Sequence, residues 1–262
     1  MSNSNGDVTE KVKILLMKRG FVLLDFNNVF TGKLASFSSN DIETKLMVPI
    51  RKMLSDHTDI NRVDIRVYGG WYQQGSLTDK ASAAFTLLSG IDCTIPLQNN
   101  GRWVRWGMEN VISAYGTNHF WNNTYRQKNG LPRIIVNTDA QRESCGIDKI
   151  HCPIEIIKKI SKGSEKICQV DGCTLKAGDI FQTFGQKMID TLMACDILNI
   201  AEEPETDAIA VMTDDVDMLP ALVVASMKYN RVSYYIATHN NQHATQDFPP
   251  ILNPYNIKNL IL

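Results

Sequence analysis

The chain has 262 residues, the length of one large or two small domains, with 44% apolar and 21% charged residues; this supports a packed core and excludes a disordered tail protein. Lysine and arginine number 27 against 28 acidic residues, a formal charge of −1, so attraction to a polyanion needs a local patch rather than bulk charge. Apolar runs such as Ile14 to Met17 and Phe21 to Leu24 are far too short to span a bilayer, and the polar start Met1 to Asp7 lacks a secretion signal's apolar core, which predicts a cytoplasmic protein with no membrane partner.

Residues 1–18 read as an N-terminal extension. Phe21-Val-Leu-Leu-Asp25 then predicts a strand buried on both faces, stopping at the polar Asp-Phe-Asn-Asn. Leu46, Met47, Ile50, Met53 and Leu54 fall at helical spacing behind a cap at Ser39 or Asn40. Val63 to Tyr68 predicts a second strand, Thr78 to Leu88 a helix, and Ile91 to Leu97 a third strand. Regular alternation breaks between 99 and 179, where a Trp-rich basic stretch, a short strand candidate (Arg133 to Val136) and a cysteine cluster occur. It resumes with a helix from Gln186 to about Ala201, a strand Ala208 to Met212, a helix from Val216 to Lys228 and a strand Val232 to Ala237. Strands alternating with helices predict an α/β fold, a Rossmann-like parallel sheet flanked by helices. Residues 19–98 and 180–262 form that domain, and 99–179 an insertion with its own Cys-containing subdomain.

Ligands of an open parallel sheet bind at the carboxyl ends of its strands. Asp25 closes the first strand there, and Asp214-Asp215-Val216-Asp217 follows the strand ending at Met212. Lys187 and Asp190 are three apart on the predicted helix that begins near Gln186 and so share a face. If the two strands are neighbours, Asp25, Asp215 and Asp217 converge, with Asp190 supplied from the helix. Crowded carboxylates repel one another unless protonated or bound to a cation, and hard oxygen donors without histidine point to Mg²⁺ or Mn²⁺. An activated water on such an ion can attack phosphorus. Aspartates at strand ends also serve as plain helix caps.

These residues resemble the NYN branch of the PIN-like nucleases. Asp25-Phe-Asn-Asn28 is similar to that family's opening Asp-x-x-Asn, and Tyr68-Gly69-Gly70-Trp71 to its Tyr-Gly-x-Trp-like signature. Lys187-Met-Ile-Asp190 with Asp196 matches its helical Lys-x-x-Asp and following Asp. Thr213-Asp214-Asp215-Val216-Asp217-Met218, with Pro220 behind it, stands for its Ser-Gly-Asp-x-Asp-Phe. The resemblance covers roughly residues 20 to 98 and 183 to 240. It implies a PIN-like, metal-dependent endoribonuclease with Asp25, Asp190, Asp215 and Asp217 around Mg²⁺ or Mn²⁺, Asn28 orienting water or phosphate, and Lys187 contacting substrate. Two positions depart from the family: its Gly is Asp214, adding negative charge beside the site, and its aromatic is Met218. Asp196 lies about 240° around a helix from Asp190, at roughly 3.6 residues per turn, so it stands between a ligand and a structural residue.

Cys145-x6-Cys152 and Cys168-x4-Cys173 form two pairs joined by a spacer, a grammar that suits a structural Zn²⁺ site and equally four free thiols. Arg102, Trp103, Arg105 and Trp106, then Trp121 and Arg126, interleave cations with rings. Single-stranded or structured RNA is gripped by such surfaces, although packed tryptophans look the same in sequence. The expected protein cuts RNA, with a regulatory protein or a second copy as further partner. Its non-enzymatic rival is a catalytically weak RNA-binding or scaffold protein on the same fold. A phosphatase with Asp25 as nucleophile would want a carboxylate at position 27, which is Asn.

Overall fold

A computed structural model describes residues 17–32, 34–128, 172–174, 176, 183–239 and 248–262. The strand candidate 133–136 and Cys145, Cys152 and Cys168 lie outside the described residues. The chain falls into two compact units. The first comprises Met1–Tyr68, Ala83–His119 and Asp190–Leu262, and the second Gly69–Ser82 and Phe120–Ile189.

The first unit is α/β, built on a seven-stranded, mostly parallel sheet. In chain order its elements are β1 (Arg19–Asp25), the single turn α1 (Phe26–Val29), α2 (Ser39–Asp56) and β2 (Arg62–Tyr68). Further on come α3 (Asp79–Ser89), whose first residues belong to the other unit, β5 (Leu97–Asn99), β6 (Arg102–Asn110), α4 (Ile189–Glu202) and β9 (Thr206–Met212). The chain closes with α5 (Leu219–Lys228), β10 (Ser233–Thr238), α6 (Phe248–Leu252) and β11 (Lys258–Ile261). The strand order is β11-β10-β9-β1-β2-β6-β5. Only β5 runs antiparallel, against β6. Phe21, Val22, Leu23 and Leu24 are all buried because β1 has parallel neighbours on both edges and covered faces. That is why it reads as an unbroken apolar run.

Helix α2 opens with a capping box at Ser38, whose hydroxyl accepts the Asp41 N–H while Asp41 accepts the Ser38 N–H at 2.8 Å. The cap is therefore one residue earlier than expected. Ser39 instead donates its hydroxyl to the Leu87 carbonyl at 2.6 Å. Gly90 must stay small there, since a Cβ would fall 2.3 Å from Ser39 Oγ.

The expected strand over 91–97 is not formed. Asp92 accepts both the N–H and the hydroxyl of Thr94, turning the chain, and Pro96 has no N–H to give a ladder. The strand that pairs with β2 on this side is instead β6, parallel to it from Arg62↔Arg105 to Val67↔Asn110, with the short β5 outside it at the edge. The sheet thus continues into the segment read as an insertion.

Among the described residues, the second unit contains two small antiparallel pairs: β3 (Tyr72–Gln73) with β4 (Ser76–Leu77), and β7 (Tyr125–Lys128) with β8 (Thr183–Gln186). Trp71 is buried and its indole lies so close to Gly69 that a Cβ there would meet the ring at 2.5 Å. Gln186 is the last residue of β8, not the first of a helix. Met188, in the left-handed region at φ 68°, keeps helical geometry from starting before Ile189. Among the described residues, no helix is long and apolar enough to cross a membrane.

Candidate active site at the carboxyl edge of the sheet

From β1 the chain goes to β2 on one side of the sheet, and later to β9 on the other. The β1–β9 boundary is therefore a topological switch point, and the crevice outside its carboxyl ends is where such sheets hold ligands. Asp25 stands one residue past the last β1–β9 pair, Leu24↔Met212. Thr213, Asp214 and Asp215 leave β9 at the same level. The neighbourhood expected from the sequence is thus formed by adjacent strands.

Asp25 is 1% exposed and accepts the Asn28 N–H at 3.2 Å as the cap of α1. Asn28 Oδ1 in turn accepts the Asp214 N–H at 3.1 Å, so Asn28 ties the end of β1 to the end of β9. Asp215 caps the 3₁₀ turn Val216–Met218, accepting the Asp217 N–H at 2.9 Å. Asp25 and Asp215 thus fill cap roles whatever else they do. Asp217 is exposed and Asp190 half-buried. Burial, together with the charges of Asp215 and Asp217, holds the Asp190 carboxyl above the ordinary carboxylate range. These three groups therefore share one negative environment.

Lys187 is exposed and precedes α4, its N–H donated to the Thr124 carbonyl at 2.8 Å. It does not share a helical face with Asp190. Asp196 is 0% exposed and accepts from Arg66 Nε at 3.0 Å, the Tyr68 hydroxyl at 2.6 Å and the Tyr115 N–H at 2.7 Å. Both of its carboxylate oxygens accept from protein donors and the group is closed to solvent, so the contacts it makes are structural ones.

The cation-and-ring segment divides. Trp103 is 65% exposed, and Arg102 and Arg105 are exposed too. Trp106 is 7% exposed, with its indole N–H donated to the Ile95 carbonyl at 2.8 Å, so it is a core side chain rather than a stacking platform. Arg102 and Trp103 open β6, and Arg105 pairs with Arg62, which pairs with Arg19. This group therefore sits at the amino edge of the sheet. Asp25 is six residues further along β1, about 20 Å at ~3.3 Å per residue. Trp121, half-buried, and Arg126, exposed, belong to the second unit. Cys173, alone of the four clustered cysteines, lies within the described residues, and it is half-buried and free. Cys195, on α4, is exposed.

Two features went unread in the sequence. His239, just past β10, and Lys45, on α2, come to the same edge as Asp214. Asp214 Oδ1 accepts the His239 N–H at 2.8 Å, and Oδ2 lies 2.7 Å from His239 Nδ1. Lys45 Nζ is 2.9 Å from His239 Nε2. No pattern at fixed spacing announces residues this far apart in the chain.

Among the described residues, one group of three has ligand atoms mutually within 4.8 Å: His57, Asp59 and Asp207. It lies at the opposite, amino edge of the sheet, and Lys18 Nζ already fills it, 2.6 Å from Asp207 and 3.2 Å from Asp59. The Asp207 hydrogen bond raises the Lys18 pKa, so this is an ion-paired cluster carrying its own cation. No family model, curated protein or solved structure matches this chain.

Proposed function

We propose that this chain is a metal-dependent nuclease of the PIN-like type, an endoribonuclease that hydrolyses RNA phosphodiester bonds. The observation that carries this reading is the meeting of position and charge. Asp25 and Asp215 leave adjacent parallel strands at the switch point, and Asp190 is held protonated beyond its usual range by burial and by Asp215 and Asp217. Mutual repulsion of this kind is relieved by a divalent cation. The donors are hard oxygens without cysteine or histidine, which suits Mg²⁺ or Mn²⁺ held by Asp25, Asp190, Asp215 and Asp217. Such an ion, when bound, supplies an activated water and offsets charge on the phosphoryl oxygens. Asn28 keeps the β1 and β9 ends in register through its bonds to Asp25 and Asp214. The order of motifs, similar to that of the NYN branch, supports the substrate class.

The rival is a binding protein that retains the fold. It is favoured by the spread of the four carboxylates, no three of which have oxygens within 4.8 Å of one another, and by Asp214 in place of the family's glycine. One experiment separates the two: purified protein is incubated with single-stranded RNA, single-stranded DNA and a phosphate monoester, in Mn²⁺ and in EDTA. Cleavage of RNA that requires Mn²⁺, and falls by roughly 10²-fold or more in Asp25→Asn, supports the nuclease. RNA bound but intact leaves the binding protein, and wild-type turnover by Asp25→Asn ends the metal-site proposal.

A further inference from the structure

Lys45, His239 and Asp214 form a hydrogen-bonded row contributed by three elements. α2 begins at the carboxyl edge, and its second turn carries Lys45; Asp214 and His239 leave the ends of β9 and β10, which are adjacent strands. The protonation pattern follows from the donors. An ammonium only donates, so His239 Nε2 must be the acceptor in its 2.9 Å contact with Lys45 Nζ. The ring proton is then on Nδ1, where Oδ2 of Asp214 receives it at 2.7 Å. Asp214 also accepts the His239 N–H, so its carboxylate is fixed by two bonds and turned onto β10. The Asp214 N–H is held by Asn28, whose own N–H is held by Asp25. A chain of hydrogen bonds therefore runs from the buried Asp25 to Lys45.

The row leaves a cation without a direct counter-ion. Among the described residues Lys45 makes no ion pair with a carboxylate, and its bond to His239 uses one of three N–H donors. Half-buried, it lies in surroundings that lower its pKa, opposed by the charge of Asp214. On the other side of the balance, four carboxylates around one divalent ion leave a net charge of −2, and a phosphodiester brings one more negative charge. An RNA backbone needs a cation at this edge, and Arg102 and Arg105 are at the opposite one.

We propose that Lys45 binds an RNA backbone phosphate at the carboxyl edge, and that His239 and Asp214 are positioning residues that hold its ammonium in place. The proposal rests on the nuclease reading of the same edge. It also gives Asp214 a use: the carboxylate that departs from the family pattern fixes the histidine that carries the lysine.

The test is equilibrium binding of a short oligouridylate, with Ca²⁺ in place of Mn²⁺ and the RNA checked for integrity after each titration. Wild type, Lys45→Gln, Lys45→Met, Lys45→Arg, His239→Phe and His239→Gln are compared over a range of KCl, each with its melting temperature. The expected result is about a tenfold loss of affinity for Lys45→Gln and Lys45→Met, with a salt slope shallower by about 0.7, the value for one contact to single-stranded phosphate. Lys45→Arg keeps the slope. His239→Phe behaves as Lys45→Gln does, whereas His239→Gln, whose amide can both accept from Lys45 and donate to Asp214, recovers part of the affinity. A role confined to folding would lower melting temperatures and leave the slope unchanged. Wild-type affinity and slope in both Lys45→Gln and Lys45→Met overturn the assignment of Lys45 alone. Absence of RNA binding by the wild type itself overturns the nuclease reading and this inference with it.

Discussion

Asp190 bears the cost of the arrangement proposed for the acidic edge. Its folded pKa is raised, by burial first and then by Asp215 and Asp217, so ionisation of this group opposes folding. The sign follows from linkage: the penalty is absent below the unfolded carboxyl pKa of about 3.9 and complete once the pH passes above the raised folded value. Asp190→Asn is therefore expected to melt higher than wild type at neutral pH in EDTA, and alongside it below about pH 4. Mn²⁺ should raise the wild-type melting temperature at neutral pH and leave the variant nearly unmoved, while the variant loses RNA cleavage. A thermal scan at two pH values, with and without Mn²⁺, checks both halves. The identities of these aspartates were legible in the sequence because strand ends and short motifs are local. Lys45 and His239 were not, since only the packing of α2 against the ends of β9 and β10 joins them to Asp214.

At the scale of elements, the other aspartate of α4 does different work from Asp190. Asp196 accepts from Arg66, Tyr68 and the Tyr115 main chain, and Arg66 also pairs with Glu109 and donates to the Ser113 carbonyl at 2.9 Å. This buried network links α4 to β2 and to the chain beyond β6. Removing Asp196 leaves Arg66 its pairing with Glu109 but strands the Tyr68 hydroxyl proton and the Tyr115 N–H, which costs about 1–3 kcal/mol for each unsatisfied group. Asp196→Ala is thus expected to be destabilised accordingly in urea unfolding, with the Mn²⁺ optimum of any surviving activity unchanged. A shifted optimum would return Asp196 to the metal site. The rotation between positions 190 and 196 already separated their faces in the sequence, but which face was buried depended on Arg66, over a hundred residues away. The strand β6 was hidden for a related reason. Its Arg-Trp-Val-Arg-Trp run alternates exposed and buried positions, with Val104 and Trp106 inside and Trp103 and Arg105 outside, and an amphipathic strand rich in rings reads equally well as a stacking surface.

At the scale of the whole molecule, a formal charge of −1 means that the proposed RNA substrate would have to be held by patches, whose spacing would set the length of RNA they serve. Within the first unit the exposed Trp103 and Arg105 lie at the amino edge, about 20 Å along the strand direction from Asp25 at ~3.3 Å per residue, whereas Lys45 is at the carboxyl edge itself. A stacked base contributes about 1–3 kcal/mol and a phosphate contact adds to the salt slope, so replacing Trp103 and Arg105 together should weaken long single-stranded RNA by roughly tenfold or more. A di- or trinucleotide too short to reach from one edge to the other should bind the double variant as it binds wild type, while Lys45→Gln weakens both. Because both side chains project from β6 into solvent, the melting temperature should hold. Trp106→Ala supplies the contrast, since emptying a buried indole site costs about 3–5 kcal/mol. Binding of RNAs of graded length by the three variants, with melting curves beside them, distinguishes the two patches. Equal weakening at every length in the double variant would mean that the amino-edge residues act through the fold rather than by gripping a distant nucleotide.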